Sequence, residues 1–547
     1  MKRTVRLAPM VVVVLAVVGL VGWAARSPMG RVADPPVAAD AVDLGDVVAR
    51  VNKNFETRWR QSHIVPAEAA DELQVLRRLS LSLLGTLPSL EEIRRFEADT
   101  EPNRLGRWTA RILADSRFAD YMSERLARSY VGTHEGQFIV YRRDRFTGWL
   151  RDQLFENRPY DEIVREMITE TGLWTGSPAT NFVTAAVNQA TIDDNKLAAR
   201  SVRAFLGQRI DCAQCHDHPF DHWTQQDFEG LAACFGQTRF SVFGVEDRSQ
   251  KNGKPVEYEV LDRKTQKKRT VALRVPFHPE WMPTEGTRRE RLAVWITHPE
   301  NRRFQRAIVN RMWGYLFGKP YIDPVDGVPD PPDRSNRDLL DILGDDFREH
   351  GYDLRRLIEV IAASRVFRLD SSHPADVEGA DPNAVQSLID NWAVFPLTRL
   401  RPEQVVAAMI QTSSIQTIDQ HSHLVVRFFR YIRENDFVKQ YGDLGENELD
   451  EQAGTISQAL LRMNGNIPSE LLKAGLFSAT GRIASLSSTN QQCLETAYLV
   501  CLTRRPRPSE KRYFLPQLAG TTGKKRQRAV ESIYWPLWNS WEFSWNH

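Results

Sequence analysis

"LQVLRRLSLSLLG", residues 73–85, decides the fold class. Leu73, Leu76, Leu79, Leu83 and Leu84 recur at helical steps, which lays them on one face, and Gly85 stops the run. The same period extends downstream. In "PSLEEIRRF", Ser89 stands three residues before Glu92, the spacing of a capping box. Asp115-Ser116 caps a segment whose Phe118, Met122 and Leu126 share a face. Phe146, Trp149, Leu150 and Leu154 make another stripe, and Pro159-Tyr160-Asp161 breaks the chain before "EIVREMI". A further helix, roughly Asp194 to Ile210, turns Ala198, Val202, Phe205 and Leu206 inward. Thr224 and Asp227 form a cap and third-residue pair for a helix that ends at Gly236.

Residues 241–285 change character. "KPVEYEVLD" and "RTVALRV" alternate, and Asn252-Gly253 is a hairpin turn signal, so a small β insertion is expected. Helical periodicity then returns from "RAIVNRMWGYLFG" through "RDLLDILGDDFREHG", with Gly351 as the stop, to Arg401-Pro402-Glu403, where proline suits a first turn. The predicted class is mainly α, with two helical domains at 45–240 and 286–547 joined by the β insertion. Trp535, Trp538, Trp541 and Trp545 recur every three or four positions, the pattern of a buried helix face. A sugar-stacking platform is the competing reading of that stripe.

The whole chain sets the compartment. Its 547 residues are 42% hydrophobic, enough for more than one core, and a net charge of +2 gives no ground for a nucleic-acid partner. Lys2, Arg3 and Arg6 precede an apolar run from Leu7 to Ala25. That is the pattern of an export signal or an uncleaved anchor, so residues 1–26 are assigned to it and residues 27–44 to a flexible linker. The expected location is the cell envelope, membrane-anchored or secreted. In such an oxidising compartment an odd count of five cysteines leaves at least one outside an intrachain disulfide.

Chemistry concentrates in "DCAQCHDHPFDHW", residues 211–223, clamped between two expected helices. Cys212, Cys215 and His216 have the Cys-x-x-Cys-His spacing of haem c attachment: two thiols reach two vinyl groups and the adjacent imidazole lies under the iron. Met282 or His218 is the sulfur or nitrogen candidate for the opposite face. A second reading is zinc, with Cys212 and Cys215 joined by His216 or His218 and completed by His222, Asp221 or Cys234. The third is a disulfide, Cys212–Cys215 or one of these with Cys234, which makes the protein a non-catalytic binding or scaffold molecule. Elsewhere, Asp323, Asp326, Asp330 and Asp333 share a loop with oxygens that suit calcium. His421-Ser422-His423 offers two imidazoles, and Cys493 and Cys501 read as buried thiols. No phosphate-cradling glycine loop, Gly-x-Ser-x-Gly elbow or His-Glu-x-x-His occurs.

Several stretches carry a family resemblance: "LRRLSLSLLGTLPS", "CAQCHDHPFDHWTQQDF", "AIVNRMWGYLFGKPYIDPVD", "EHGYDLRRLIEVIAASRVFRLDSS" and the segments from "LVCLTRRPRPSEKRYF" to "WNSWEFSWNH". They resemble the paired domains of unknown function 1549 and 1553, abundant in planctomycete bacteria, over roughly 45–240 and 285–547. The first of these is also called a planctomycete cytochrome-c-like domain. The resemblance implies a mainly helical envelope or secreted protein and supplies no established activity. At the position of His222 such relatives usually carry lysine or another polar residue. An envelope redox protein is the partner implied by a haem, a membrane the partner implied by an uncleaved anchor, and a glycan the partner implied by the aromatic tail.

Overall fold

The computed structural model describes residues 43–134, 140–188, 191–219, 222–261, 266–374, 381–419, 422, 424–446, 448–450, 454–475 and 478–547. The export or anchor segment, and the linker up to residue 42, lie outside these. No helix among the described residues is long and apolar enough to cross a membrane.

The chain is mainly helical and its only described sheets are two-stranded. The leucine-rich stretch forms the Glu72–Leu84 helix, capped by the Asp71 carboxylate accepting from the Leu73 N–H and closed by Gly85 at φ 69°. Gly85 is required twice over, because a Cβ there would also run into the Tyr121 ring. The expected one-sided stripe is exceeded: every residue from Val75 to Leu84 is buried. The reason is that this helix lies between two apolar cores. Leu76, Leu79 and Leu83 belong to the larger core, together with Phe55, Trp313 and Phe317. Leu81 belongs to the other, with Val405, Met409, Tyr498 and Trp538.

Two arginines are thereby buried with the leucines. Arg77 donates to the carbonyls of Glu542 (2.9 Å) and Phe543 (3.3 Å). Arg78 donates to the carbonyls of His547 (2.8 Å), Phe367 (3.0 Å) and Leu369 (2.7 Å), with its guanidinium 3.7 Å from the centre of the Phe395 ring. A buried cation needs acceptors for its donors, and those found here come from residues 367–369 and 542–547, while Arg77 Nε and Nη1 have none among the described residues.

The capping boxes at Ser89/Glu92 and Thr224/Asp227 form as their spacing predicts. Asp115 caps the Ser116–Val131 helix. The helix expected to reach Ile210 stops at Leu206. Gly207 takes a left-handed φ of 68° and its carbonyl accepts from the Val328 N–H at 2.9 Å, so the chain leaves the helix to pair with the proline-rich loop. The β insertion is three successive hairpins, Thr238–Ser241 with Gly244–Asp247, Gln250–Lys251 with Lys254–Pro255, and Tyr258–Leu261 with Lys268–Val271. Asn252 (φ 52°) and Gly253 (φ 74°) turn the middle one, as two positive φ values in a tight hairpin require. The tryptophan stripe is not one buried face. Trp538 is buried, whereas Trp535 and Trp541 are 41% and 60% exposed. The Gly523–Asn539 helix ends before Trp541, and Trp545 sits on a two-residue strand paired with Arg399.

Candidate functional site

The Asp194–Leu206 helix delivers the chain to a short 3-10 turn, Asp211–Gln214, and the Gln225–Ala232 helix takes it away. Ile210, Ala213 and Trp223 are fully buried and nail the loop to the large core. Between these anchors Cys212, Cys215, His216 and Asp217 face solvent. The turn is closed by the Cys215 and His216 N–H groups, which donate to the Cys212 carbonyl at 3.3 and 3.4 Å. Cys212 lies within the turn and Cys215 is the residue that follows it. The loop is braced further on. The His218 N–H donates to the Trp223 carbonyl (2.8 Å), and the Asp217 carboxylate accepts from the Gln225 N–H (2.9 Å).

The His216 ring is oriented by its own neighbour. Its Nδ1 lies 2.8 Å from the Asp217 carbonyl oxygen. A carbonyl oxygen only accepts, so Nδ1 carries a proton and any lone pair the ring offers is on Nε2. Ligating histidines are prepared in this way, with the inner nitrogen bound to a carbonyl and the outer one offered to a metal.

None of the five cysteines is disulfide-bonded. The disulfide expected as one alternative, Cys212–Cys215 or either with Cys234, is therefore not formed. Cys234 is fully buried, its thiol 3.6 Å from the Gly230 carbonyl, and burial pushes it up to about 12. The other two sulfurs are at the surface. Nor are the zinc ligands assembled: among the described residues no group of three or more His, Cys, Asp or Glu converges to hold a metal. His222 stacks on Trp223 (centroids 5.4 Å apart) and its Nδ1 lies 3.9 Å from the Asp330 carboxylate. Asp221 lies outside the described residues, as do His421 and His423. Met282 is buried in the large core, while His216 is exposed, so the sulfur proposed for the far side of an iron is already packed away.

Two of the four carboxylates of the acidic loop are already engaged. Asp326 accepts from Arg311 (2.5 Å), and Asp330 accepts from Arg303 (3.0 Å) and Gln208 (3.3 Å). Cys493 and Cys501 are buried thiols, as expected, and burial raises both above the usual thiol range.

One constellation escapes the sequence entirely. Arg125 Nη1 sits 2.5 Å from Glu403 Oε1 and 2.6 Å from Glu448 Oε2, and Arg401 Nε lies 3.0 Å from the same Glu403 oxygen. Burial raises Glu448. For Glu403 the same burial is outweighed by Arg125 and Arg401, which hold it below the usual carboxylate range. Its members come from remote parts of the chain, and no local spacing announces them.

Residues 50–240 match the model of a protein family of unknown function, DUF1549 (PSCyt2), and residues 288–435 match a second, DUF1553 (PSD1). The second match stops at residue 435, short of the tail to which the sequence motifs extend. No curated protein and no solved structure matches the chain.

Proposed function

We propose that this chain, which belongs to the proteins carrying the paired DUF1549 and DUF1553 domains, is an exported envelope protein that holds haem c at Cys212, Cys215 and His216 and serves a redox role. The observation that carries the proposal is the His216 Nδ1–H donated to the Asp217 carbonyl, which leaves Nε2 for a ligand in a segment whose Cys212 and Cys215 are exposed as well. Covalent haem needs those three groups on one turn; it does not need them to converge on a single point, as tetrahedral zinc does. Cys212 and Cys215 would hold the group through thioethers and His216 would bind its iron. When bound, the group supplies one-electron transfer at iron. The protein supplies a braced turn whose anchors Ile210, Ala213 and Trp223 fix the sulfurs against the core. The loop faces solvent, which suits exchange of electrons with a second envelope protein.

The test is expression of the full chain in an exporting host with haem c maturation. A Soret band that survives denaturation and acid-acetone extraction, and is lost in Cys212→Ser and Cys215→Ser, is the expected result. Colourless protein carrying stoichiometric zinc would replace this reading with the metal one. Colourless, metal-free protein with a Cys212–Cys215 disulfide on peptide mass spectrometry would leave a binding or scaffold protein.

A further inference from the structure

Away from the cysteine loop, an open trough of about 760 Å³ lies between the Gly45–Gln61 helix and the segment 332–342. The helix turns Val47, Val51, Phe55 and Trp59 into the core. Beside that stripe, Arg50, Lys53, Asn54, Thr57, Arg58 and Gln61 line the trough. Steps of three and four residues set these six on one face of the helix.

The trough holds more positive charge than its surroundings cancel. Two of its charged residues are already neutralised. Asp338 accepts from both Nη atoms of the buried Arg306 (2.6 and 2.9 Å), and Arg337 pairs with Asp345 (2.7 Å). Three cations remain. Lys53 is exposed and makes no hydrogen bond or ion pair among the described residues. Arg58 donates to Asn391 Oδ1, the Tyr321 hydroxyl and the Asp390 carbonyl, each at 3.2 Å. All three acceptors are neutral, so they fix the guanidinium and leave its charge uncancelled. Arg50 faces one carboxylate, Asp46, at 3.1 Å; Asp46 is 88% exposed, and such a surface pair contributes little.

Neutral donors accompany the cations. The side chains of Asn54, Thr57, Gln61 and Asn336 line the trough and make no hydrogen bond among the described residues. An anion entering here meets spare positive charge and unused N–H and O–H groups, with no free carboxylate on the walls. A cation would meet three like charges.

From these features we infer that the trough binds an extended, multiply charged oxyanion, a small molecule with phosphate or carboxylate groups set at intervals along its length. At 1.5 Å per residue, the backbones of Arg50 and Arg58 are about 12 Å apart along the axis, which favours separated anionic groups over a single ion. Arg58, held in place by its neutral partners, takes one group; Lys53 and Arg50 take the next, and Asn54 and Thr57 donate between them. This site is independent of any cofactor at Cys212.

The experiment is isothermal titration of the purified full chain at low salt with tripolyphosphate and trigalacturonate. Inorganic phosphate serves as the single ion, and maltotriose and spermidine as neutral and cationic comparators. Saturable binding of tripolyphosphate, trigalacturonate or both is expected, and which of them binds assigns the anionic group. The affinity should fall as salt rises. It should fall fivefold or more in Lys53→Glu and be unchanged in Lys524→Glu. Lys53 has no contact that its reversal would break, and Lys524 is an exposed lysine on the separate Gly523–Asn539 helix. Binding of neither polyanion, binding as tight in K53E as in the parent, equal weakening by K53E and K524E, or phosphate binding as tightly as the polyanions would overturn the inference. So would binding of maltotriose or spermidine in their place.

Discussion

Arg78→Met tests whether His547 and the 367–369 segment are held to the Glu72–Leu84 helix as the hydrogen bonds imply. Arg78 is fully buried and donates to three main-chain carbonyls, those of Phe367, Leu369 and His547. Methionine keeps most of the apolar stem and removes every donor. Each buried carbonyl left without a partner costs roughly 1–3 kcal/mol. Against this stands relief of burying the cation, since desolvation pushes Arg78 below the ordinary arginine value. Three such carbonyls set a gross loss of roughly 3–9 kcal/mol, and the relief brings the net toward its lower end, about 3–5 kcal/mol. Arg78→Lys should recover only part of it, because a single ammonium cannot reach three carbonyls with the geometry of a planar fork. Equilibrium urea unfolding measures the loss, and limited proteolysis should cut the released tail near Trp545 faster in R78M than in the parent. A loss under about 1 kcal/mol with an unchanged cleavage pattern would refute the reasoning, for it would mean that the arginine merely accompanies a tail fixed by its apolar residues.

Two further outcomes follow from buried titrating groups. Asp194 Oδ1 has no partner among the described residues, and burial raises the carboxyl from 3.8 to about 7; this raised acid contributes stability that is present below pH 3.8 and lost as pH climbs to 7. Asp194→Asn should therefore stabilise the protein at pH 8 by up to about 3 kcal/mol and do nothing at pH 3.5, and equal effects at both pH values would contradict the assignment. His547 is pushed the other way, from 6.5 to about 4, first by burial and then by Arg77, so its contribution is complete above pH 6.5 and fades as pH falls to 4. Wild-type protein should lose about 2–3 kcal/mol between pH 7 and 4.5 that His547→Gln does not lose, read from urea midpoints at the two pH values; parallel pH profiles would rule this out.

Local order was legible residue by residue. The leucine spacing from 73 to 84, the stop at Gly85, the boxes at Ser89/Glu92 and Thr224/Asp227 and the Asn252-Gly253 turn are each set by neighbours within a few positions, and all appear as read. That the segment 211–216 links two helices was legible for the same reason, since the signals that bound those helices lie close by in the chain. Gly207 carried a stop signal of the same kind as Gly85, and the longer reading to Ile210 passed over it.

What tertiary structure alone decided is where charge goes. The leucine spacing says nothing of where Arg77 and Arg78 go; a helix wedged between two cores has no solvent face for them, and their cations find carbonyls hundreds of residues away. The same holds for Arg125, Glu403 and Glu448, and for the tryptophans of the tail, which the end of a helix divides among three settings. Periodicity records which side chains avoid water; it carries no record of which distant group replaces the water that a buried charge has lost.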